Sequence, residues 1–319
     1  MAELSQELER MSVKVQDKKR FSVSDIKDDH DKFLMYTSLP YDIFRILVSV
    51  LSRFELHYHN GFQVTGIPLE DQVLMTLMKL RLNLRDLDLA ERFLCSRATI
   101  SNIVKTFIRA LHEILFSCLK RGIPSQLKCR GSMPKAFDEF GSARIVIDAT
   151  ETTQDIPNEL DKQSTSYSSY KSRHTVKAVT GVAPNGAIVF VSDLYPGSTS
   201  DVAIVEHSKL MDTLLPGDLI LADKGFTIHR LLPNGVSLNI PPFLVGKSQF
   251  TAEEALLCRK IAKARIHVER ANALIKNFAI VSHIPSNLRS MSTIVFQLCC
   301  CLVNLQAPLI AEIGDRDNQ

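Results

Sequence analysis

The chain has 319 residues, of which 45% are hydrophobic and 23% charged, with a formal net charge of +3. That balance excludes a disordered or fibrous chain and leaves room for two folded domains. A charge so close to neutrality neither demands nor excludes nucleic acid, so local clustering has to decide. Seven cysteines, an odd number with no C-x-x-C pair, and an N-terminus without a signal-peptide pattern point to reduced thiols inside a cell. Cys299, Cys300 and Cys301 lie together in an apolar helix with no His nearby, which reads as core packing rather than zinc. The apolar run 294–310 is broken by Gln297, Asn304, Gln306 and Pro308, so no membrane partner is expected.

In chain order, Leu4, Leu8, Met11 and Val15 repeat at helical spacing on a polar background, and Lys18-Lys19-Arg20 is a short basic run. Two heptads are too few for a coiled coil, and residues 1–37 are read as a flexible N-terminal segment. Ser38 and Pro40 mark a helix start, with Ile43, Ile46, Leu47, Val50 and Leu51 on one face. His57 and His59 follow in a loop without ligand-spaced partners. Pro68 opens another helix, with Val73, Leu77 and Leu80 inward. A shorter one spans 85–93, burying Leu87, Ala90 and Phe93. Ser96 is then an N-cap for a third helix whose stripe is Ile100, Val104, Phe107 and Leu111. Ser101, Asn102, Lys105 and Arg109 share the opposite side. Small polar and basic residues on the helix after a tight turn suit a helix-turn-helix recognition helix that binds DNA. The same pattern fits a three-helix bundle with a solvated face.

The helical domain is placed at 38–120 and a Gly-, Pro- and Lys/Arg-rich linker at 121–143. An α/β domain follows at 144–308, with a tail at 309–319. The α/β domain opens on Arg144-Ile145-Val146-Ile147-Asp148, a buried strand closing on a carboxylate. Asp218-Leu219-Ile220-Leu221-Ala222-Asp223 repeats the pattern. A carboxylate ending a core strand is costly unless a cation meets it, and two of them suggest an oxygen-ligand metal site. Between them lie a Ser/Tyr/Lys-rich loop at 163–173 and strands at 175–183 and 187–194 turned by Pro184-Asn185-Gly186. A helix at 202–214 follows. Lys171, His174 and Lys177 suit phosphate contacts beside the first strand, and nearly as well a solvated strand edge. After Asp223 come a Pro/Gly-rich insertion at 231–247, a long helix at 252–278 and a last apolar helix from 286. On the long helix Arg265, Glu269 and Lys276 share nearly one face, a carboxylate flanked by bases.

Strand, two-stranded hairpin, helix, strand, insertion and long helix is the order of an RNase H-like α/β core. In that fold the first and fourth strands are neighbours, bringing Asp148 and Asp223 together. I-D-A-T, P-G-S-T-S-D, L-A-D-K-G-F and R-I-H-V-E-R-A-N-A-L-I-K, in that order, resemble the DDE-superfamily endonuclease of PIF/Harbinger-type transposases. The preceding bundle resembles the helix-turn-helix domain that precedes that endonuclease. The resemblance implies a catalytic triad of Asp148, Asp223 and Glu269. It also implies metal ligation by these three with Asp201, two Mg²⁺ ions (Mn²⁺ as substitute), and phosphodiester hydrolysis on DNA. Ser101, Asn102, Lys105, Arg109, Lys171, Lys177, Arg265 and Lys276 are the DNA-contacting candidates. For Asp201 the rival role is helix capping beside Ser200. The rival functions are a catalytically inactive, domesticated descendant acting as a nuclear DNA-binding or adaptor protein, and an RNase H-like nuclease acting on RNA or repair intermediates. No zinc-finger spacing precedes residue 36, so end recognition is expected to involve a DNA-binding partner protein or a segment outside this chain, and a homo-oligomer is the other partner expected. The expected location is the nucleus, with the cytoplasm as the alternative.

Overall fold

The computed structural model describes residues 19–120, 122–244 and 249–308. The heptad-like stretch Leu4–Val15 lies outside them, as does the 309–319 tail. Helix α1 (His30–Thr37) and helix α2 (Tyr41–Leu51) turn about Ser38, whose φ is +64°. Phe33 of α1 packs edge-on against Tyr41 and Phe44, so residues 30–37 belong to the helical domain rather than to a flexible segment. The chain before them is tied down as well. Val23 N–H donates to Asp71 (2.8 Å), Arg20 donates to the Gly66 carbonyl and Lys19 pairs with Asp25.

Helix α3 (Leu69–Leu82) is buried from Asp71 through Leu80 and forms the centre of this region. Around it pack α4 (Asp86–Arg92) and α5 (Arg97–Leu119). The Ser96 hydroxyl caps α5 by accepting from Thr99 N–H at 3.0 Å, as its position before the apolar stripe predicts. Two expected faces are shifted. Leu89, not Leu87, is buried in α4, and Phe44, not Ile46, in α2. Each pair is two positions apart, about 200° around the helix, so these short helices carry apolar residues on both faces and packing alone decides which is buried.

The stretch expected as a linker is packed instead. Helix α6 (Gln126–Gly131) lies within it, and Ile123, Cys129, Phe137 and Phe140 are all buried.

The sheet runs β2-β3-β1-β6-β7. Its central strand, β1 (Ala143–Gln154), pairs antiparallel with β3 (Arg173–Val182) and parallel with β6 (Leu219–Leu221). The stretch expected as a loop before β3 forms α7 (Leu160–Ser166) and a short β2 (Tyr167–Ser168). Strand β4 (Ile188–Val191) returns against β3 through the Pro184–Gly186 turn, where Gly186 has φ +87°. Strand β5 (Tyr195–Pro196) leads to Gly197, where a Cβ would stand 2.1 Å from Thr175 Oγ1. The glycine of P-G-S-T-S-D is therefore a packing requirement. Helix α8 (Asp201–His207) is shorter than expected, ending in a 3-10 turn at Leu210–Thr213. The insertion supplies β7 (Ser237–Asn239), parallel to β6.

Helix α9 (Ala252–Lys276) then crosses the sheet, burying Ile261, Ala264, Val268, Ala271 and Ile275 at i, i+3, i+7 spacing. Helix α10 (Ala279–Ser282), strand β8 (His283–Ile284) and helix α11 (Ser292–Val303) complete the chain. Ser286–Val303 is long and apolar enough by composition to cross a membrane, yet 61% of it is buried within the fold. Cys299, Cys300 and Cys301 are among its buried residues, with burial raising their thiols. One hydrophobic core runs from the helical region through α9 and α11 to one face of the sheet, and a second fills the face under α8. The two domains thus share a core.

Candidate active site

The pairing of β1 with β6 sets the site. Val146 lies opposite Leu221, so Asp148 and Asp223, each two residues further on, emerge at neighbouring strand ends. A buried ion pair fixes that register from the other end. Arg144 Nη1 contacts both oxygens of Asp218 at 2.9 and 2.8 Å, with side-chain exposures of 5% and 0%. Asp218 also accepts from Gln126 Nε2 and Leu215 N–H, so its lone pairs are well used.

From α9, Arg265 and Glu269 reach the same place. The Arg265 guanidinium lies 3.1 Å from Asp223 Oδ1, 3.6 Å from Glu269 Oε1 and 3.9 Å from Asp148 Oδ1. The three predicted catalytic carboxylates therefore converge on one cation contributed by the chain itself. Arg265 was expected to track a phosphate; it sits among the carboxylates instead, because one helical turn places it beside Glu269. Burial pushes the Asp148 carboxyl above its ordinary value. Arg265, the Ala149 N–H and Asn272 pull the other way, while Asp223 adds to the rise.

Asn272 was missed by sequence reasoning. Its Nδ2 donates to Asp148 Oδ2 at 3.0 Å, and its Oδ1 accepts from the Thr180 hydroxyl at 2.8 Å. The legible signal was its place three residues after Glu269 on the same helix; nothing in the sequence marked Thr180.

Asp201 is not among the carboxylates gathered around Arg265, although its Oδ2 lies against Gly225, two residues beyond Asp223, where a Cβ would stand 3.3 Å from it. Its carboxylate pairs with Lys177 at 3.2 Å, and Lys177 lies 3.6 Å from Glu151. Glu151 and Asp148 are an odd number of residues apart on β1, so they face opposite sides of the sheet. Ser200, not Asp201, makes the cap, accepting from Ala203 N–H at 3.2 Å. Lys177, expected at a phosphate, has 14% of its side chain exposed and is paired with these acids. Lys171 is exposed, its ammonium 4.8 Å from the centre of the equally exposed Tyr170 ring, and Lys276 is exposed near the end of α9.

On α5, Asn102 is buried. It donates to the Phe62 carbonyl and accepts from Asn60 N–H, so it holds the 59–62 segment rather than a base. Ser101 is half-buried, Lys105 half-buried and Arg109 exposed. His59 lies beside the two bases, and its imidazole is held below its usual range by burial first and then by Lys105 and Arg109.

Among the described residues, no three His, Cys, Asp or Glu side chains stand close enough together to grip a metal ion directly. The donor set nevertheless fits one. Three carboxylates, hard oxygen donors, face a single positive charge that a guanidinium already supplies.

Residues 147–304 match the family model described as a DDE superfamily endonuclease, and residues 66–117 match the helix-turn-helix of DDE superfamily endonuclease. No curated protein and no solved structure matches the chain. The endonuclease match begins one residue before Asp148 and extends past Asn272, while the helix-turn-helix match spans α3 to α5. Residues 147–304 are therefore identified as a DDE superfamily endonuclease domain, with the helix-turn-helix domain of that superfamily ahead of it at residues 66–117.

Proposed function

We propose that the protein is a divalent-metal-dependent DNA endonuclease of the transposase type, resembling the PIF/Harbinger group in its motifs. The observation that carries this reading is the convergence of Asp148, Asp223 and Glu269, from three separate elements, on one cation. Mg²⁺ ions, or Mn²⁺ in their place, held by these carboxylates would activate an attacking water and stabilise the leaving 3′-oxygen. The chain's own side chains do the rest. Asp148 is oriented by Asn272, and Glu269 and Asp223 are exposed enough to meet a docked phosphodiester, at 56% and 50% of their side chains. Duplex binding is assigned to α5 through Lys105 and Arg109, with Lys171 and Lys276 as outlying phosphate contacts. Choice of particular transposon ends falls to a second copy or a DNA-binding partner protein, and the nucleus is the location that goes with the substrate.

The test is a Mg²⁺-dependent nicking assay on duplex DNA carrying candidate terminal inverted repeats, using the intact chain, Asp223→Asn and Asp201→Asn. Cleavage abolished by the first substitution and retained by the second supports the assignment. A second reading, a non-catalytic DNA-binding descendant, draws on Arg265, which already neutralises the carboxylates. Binding without cleavage by the unmodified chain would favour it.

A further inference from the structure

We propose that Asn272 is a positioning residue for Asp148 and that the Thr180 hydroxyl sets the orientation of its amide. This rests on reading Asp148 as a metal ligand. Thr180 is the cross-strand partner of Asp148, so both side chains leave the sheet on the same face. Asn272 comes down onto them from α9, one turn beyond Glu269. Its Nδ2 donates to Asp148 Oδ2 at 3.0 Å, and its Oδ1 takes the Thr180 hydroxyl at 2.8 Å.

The directions are forced. Turned over, the amide would set its carbonyl oxygen against the Asp148 carboxylate, leaving two acceptors face to face. In the observed orientation Oδ1 needs a donor, and Thr180 is the one it has. The hydroxyl's other acceptor is the Asp148 backbone oxygen at 3.4 Å, a weaker contact. With Asn272 6% exposed and Thr180 fully buried, bulk water cannot replace either partner.

The consequence falls on Asp148. The terminal torsion of an aspartate is broad, so an unrestrained carboxylate swings. Pinning Oδ2 leaves Oδ1 as the oxygen turned to the cation, and Oδ1 is the atom nearest Arg265. Because Asn272 and Glu269 ride on the same helix, the relay also fixes Asp148 relative to Glu269. Partners of this kind behind a metal ligand typically change affinity or activity by about 10- to 100-fold when removed.

The test uses the intact chain without DNA, titrated with Ca²⁺ by calorimetry, alongside the melting temperature of each variant. Asn272→Ala is expected to weaken Ca²⁺ binding about tenfold. Thr180→Val, which keeps the side-chain shape and reaches no ligand carboxylate, should weaken it in the same direction by a smaller factor. Thr180→Ser, which restores the donor, should return affinity to that of the unmodified chain. Should Asn272→Ala fail to fold, the Thr180→Val and Thr180→Ser pair alone decides. A lower melting temperature with unchanged Ca²⁺ affinity in Thr180→Val would make the relay structural and overturn the proposal. Asp148→Asn separates the two levels. If it abolishes Ca²⁺ binding while the relay variants leave it intact, only the positioning role fails. If Asp148→Asn binds Ca²⁺ as the unmodified chain does, or neither binds, the reading of the site itself fails.

Discussion

Removing the charge of Arg265 should make the site bind a divalent ion more tightly, the opposite of what loss of a merely structural residue would do. The guanidinium lies 3.1 to 3.9 Å from the three carboxylates, so an incoming ion must take those oxygens from it. Asp223 and Glu269 are about half exposed, and solvent screens their pairs to the surface range, about 0.5 kcal/mol each. Adding the longer, 3.9 Å contact to the more buried Asp148 at the same value gives about 1.5 kcal/mol of competition, or about tenfold in the dissociation constant. Arg265→Gln should therefore show a Ca²⁺ dissociation constant about tenfold lower by calorimetry. In chelator the variant should melt below the unmodified chain, because its carboxylates repel without a counter-charge. Saturating Ca²⁺ should close that gap, since a ligand that binds only the folded state stabilises it. Unchanged or weaker Ca²⁺ binding by Arg265→Gln would refute the argument and leave Arg265 as a support for the ligands.

Replacing Lys105 and Arg109 together by Ala should weaken DNA binding and flatten its dependence on salt, by about 0.9 in the log–log slope for each phosphate no longer neutralised. An unchanged slope in a filter-binding titration would make the α5 surface structural. Asp218→Ala leaves Arg144 buried without its partner and should cost about 3–5 kcal/mol in denaturant unfolding. The double change Arg144→Met with Asp218→Leu should recover most of that loss. His112 bonds Gln297 at 2.8 Å across the joint between α5 and α11, and burial holds its pKa below 6.5. The unfolded chain takes up that proton first, so the contribution is present above pH 6.5 and lost as pH falls through the lowered folded value. Thermal melts between pH 7.5 and pH 5 should show this loss, and His112→Gln should reduce it.

The strands that carry Asp148 and Asp223 were legible because each is a run of β-branched or aliphatic residues ending in an acid that a buried strand does not tolerate alone. Glu269 was legible from helical spacing. Two of the departures share one cause: a sequence displays a charge without its partner. Lys177 and Arg265 both looked available to phosphates. Strand register turns Lys177 onto Glu151 and Asp201, and one helical turn sets Arg265 beside Glu269. Asn102 was placed on an exposed face because a bundle's periodicity cannot reveal that the 59–62 segment folds back over it. The 30–37 helix was read as flexible for a related reason. Its burial depends on Phe33 meeting Tyr41 and Phe44 and on Tyr36 meeting Phe21, a packing with no local signature beyond two aromatic residues.

The helical region is joined to the endonuclease domain by α11 packed on α5 and α10 packed on α3, while α9 carries three of the side chains at the site. Arg265, Glu269 and Asn272 fall at i, i+4 and i+7, a single stripe beside the one that α9 buries in the core. A small rotation of α9 would therefore move the counter-cation, the ligand and the aspartate's hydrogen-bond donor together. The end of α3 constrains that rotation. Arg81 donates to the backbone carbonyl of Asn277, just past the last residue of α9, and Asn83 Nδ2 donates to the His283 carbonyl at 3.0 Å. Gln297 adds a further tie, from His112 on α5 to Asp193 beyond β4. The shared core and these hydrogen bonds leave little freedom between the α5 surface and the carboxylates. If duplex is held on α5 as proposed, the spacing from grip to cut would then be a property of the packed joint between the two domains rather than of a tether.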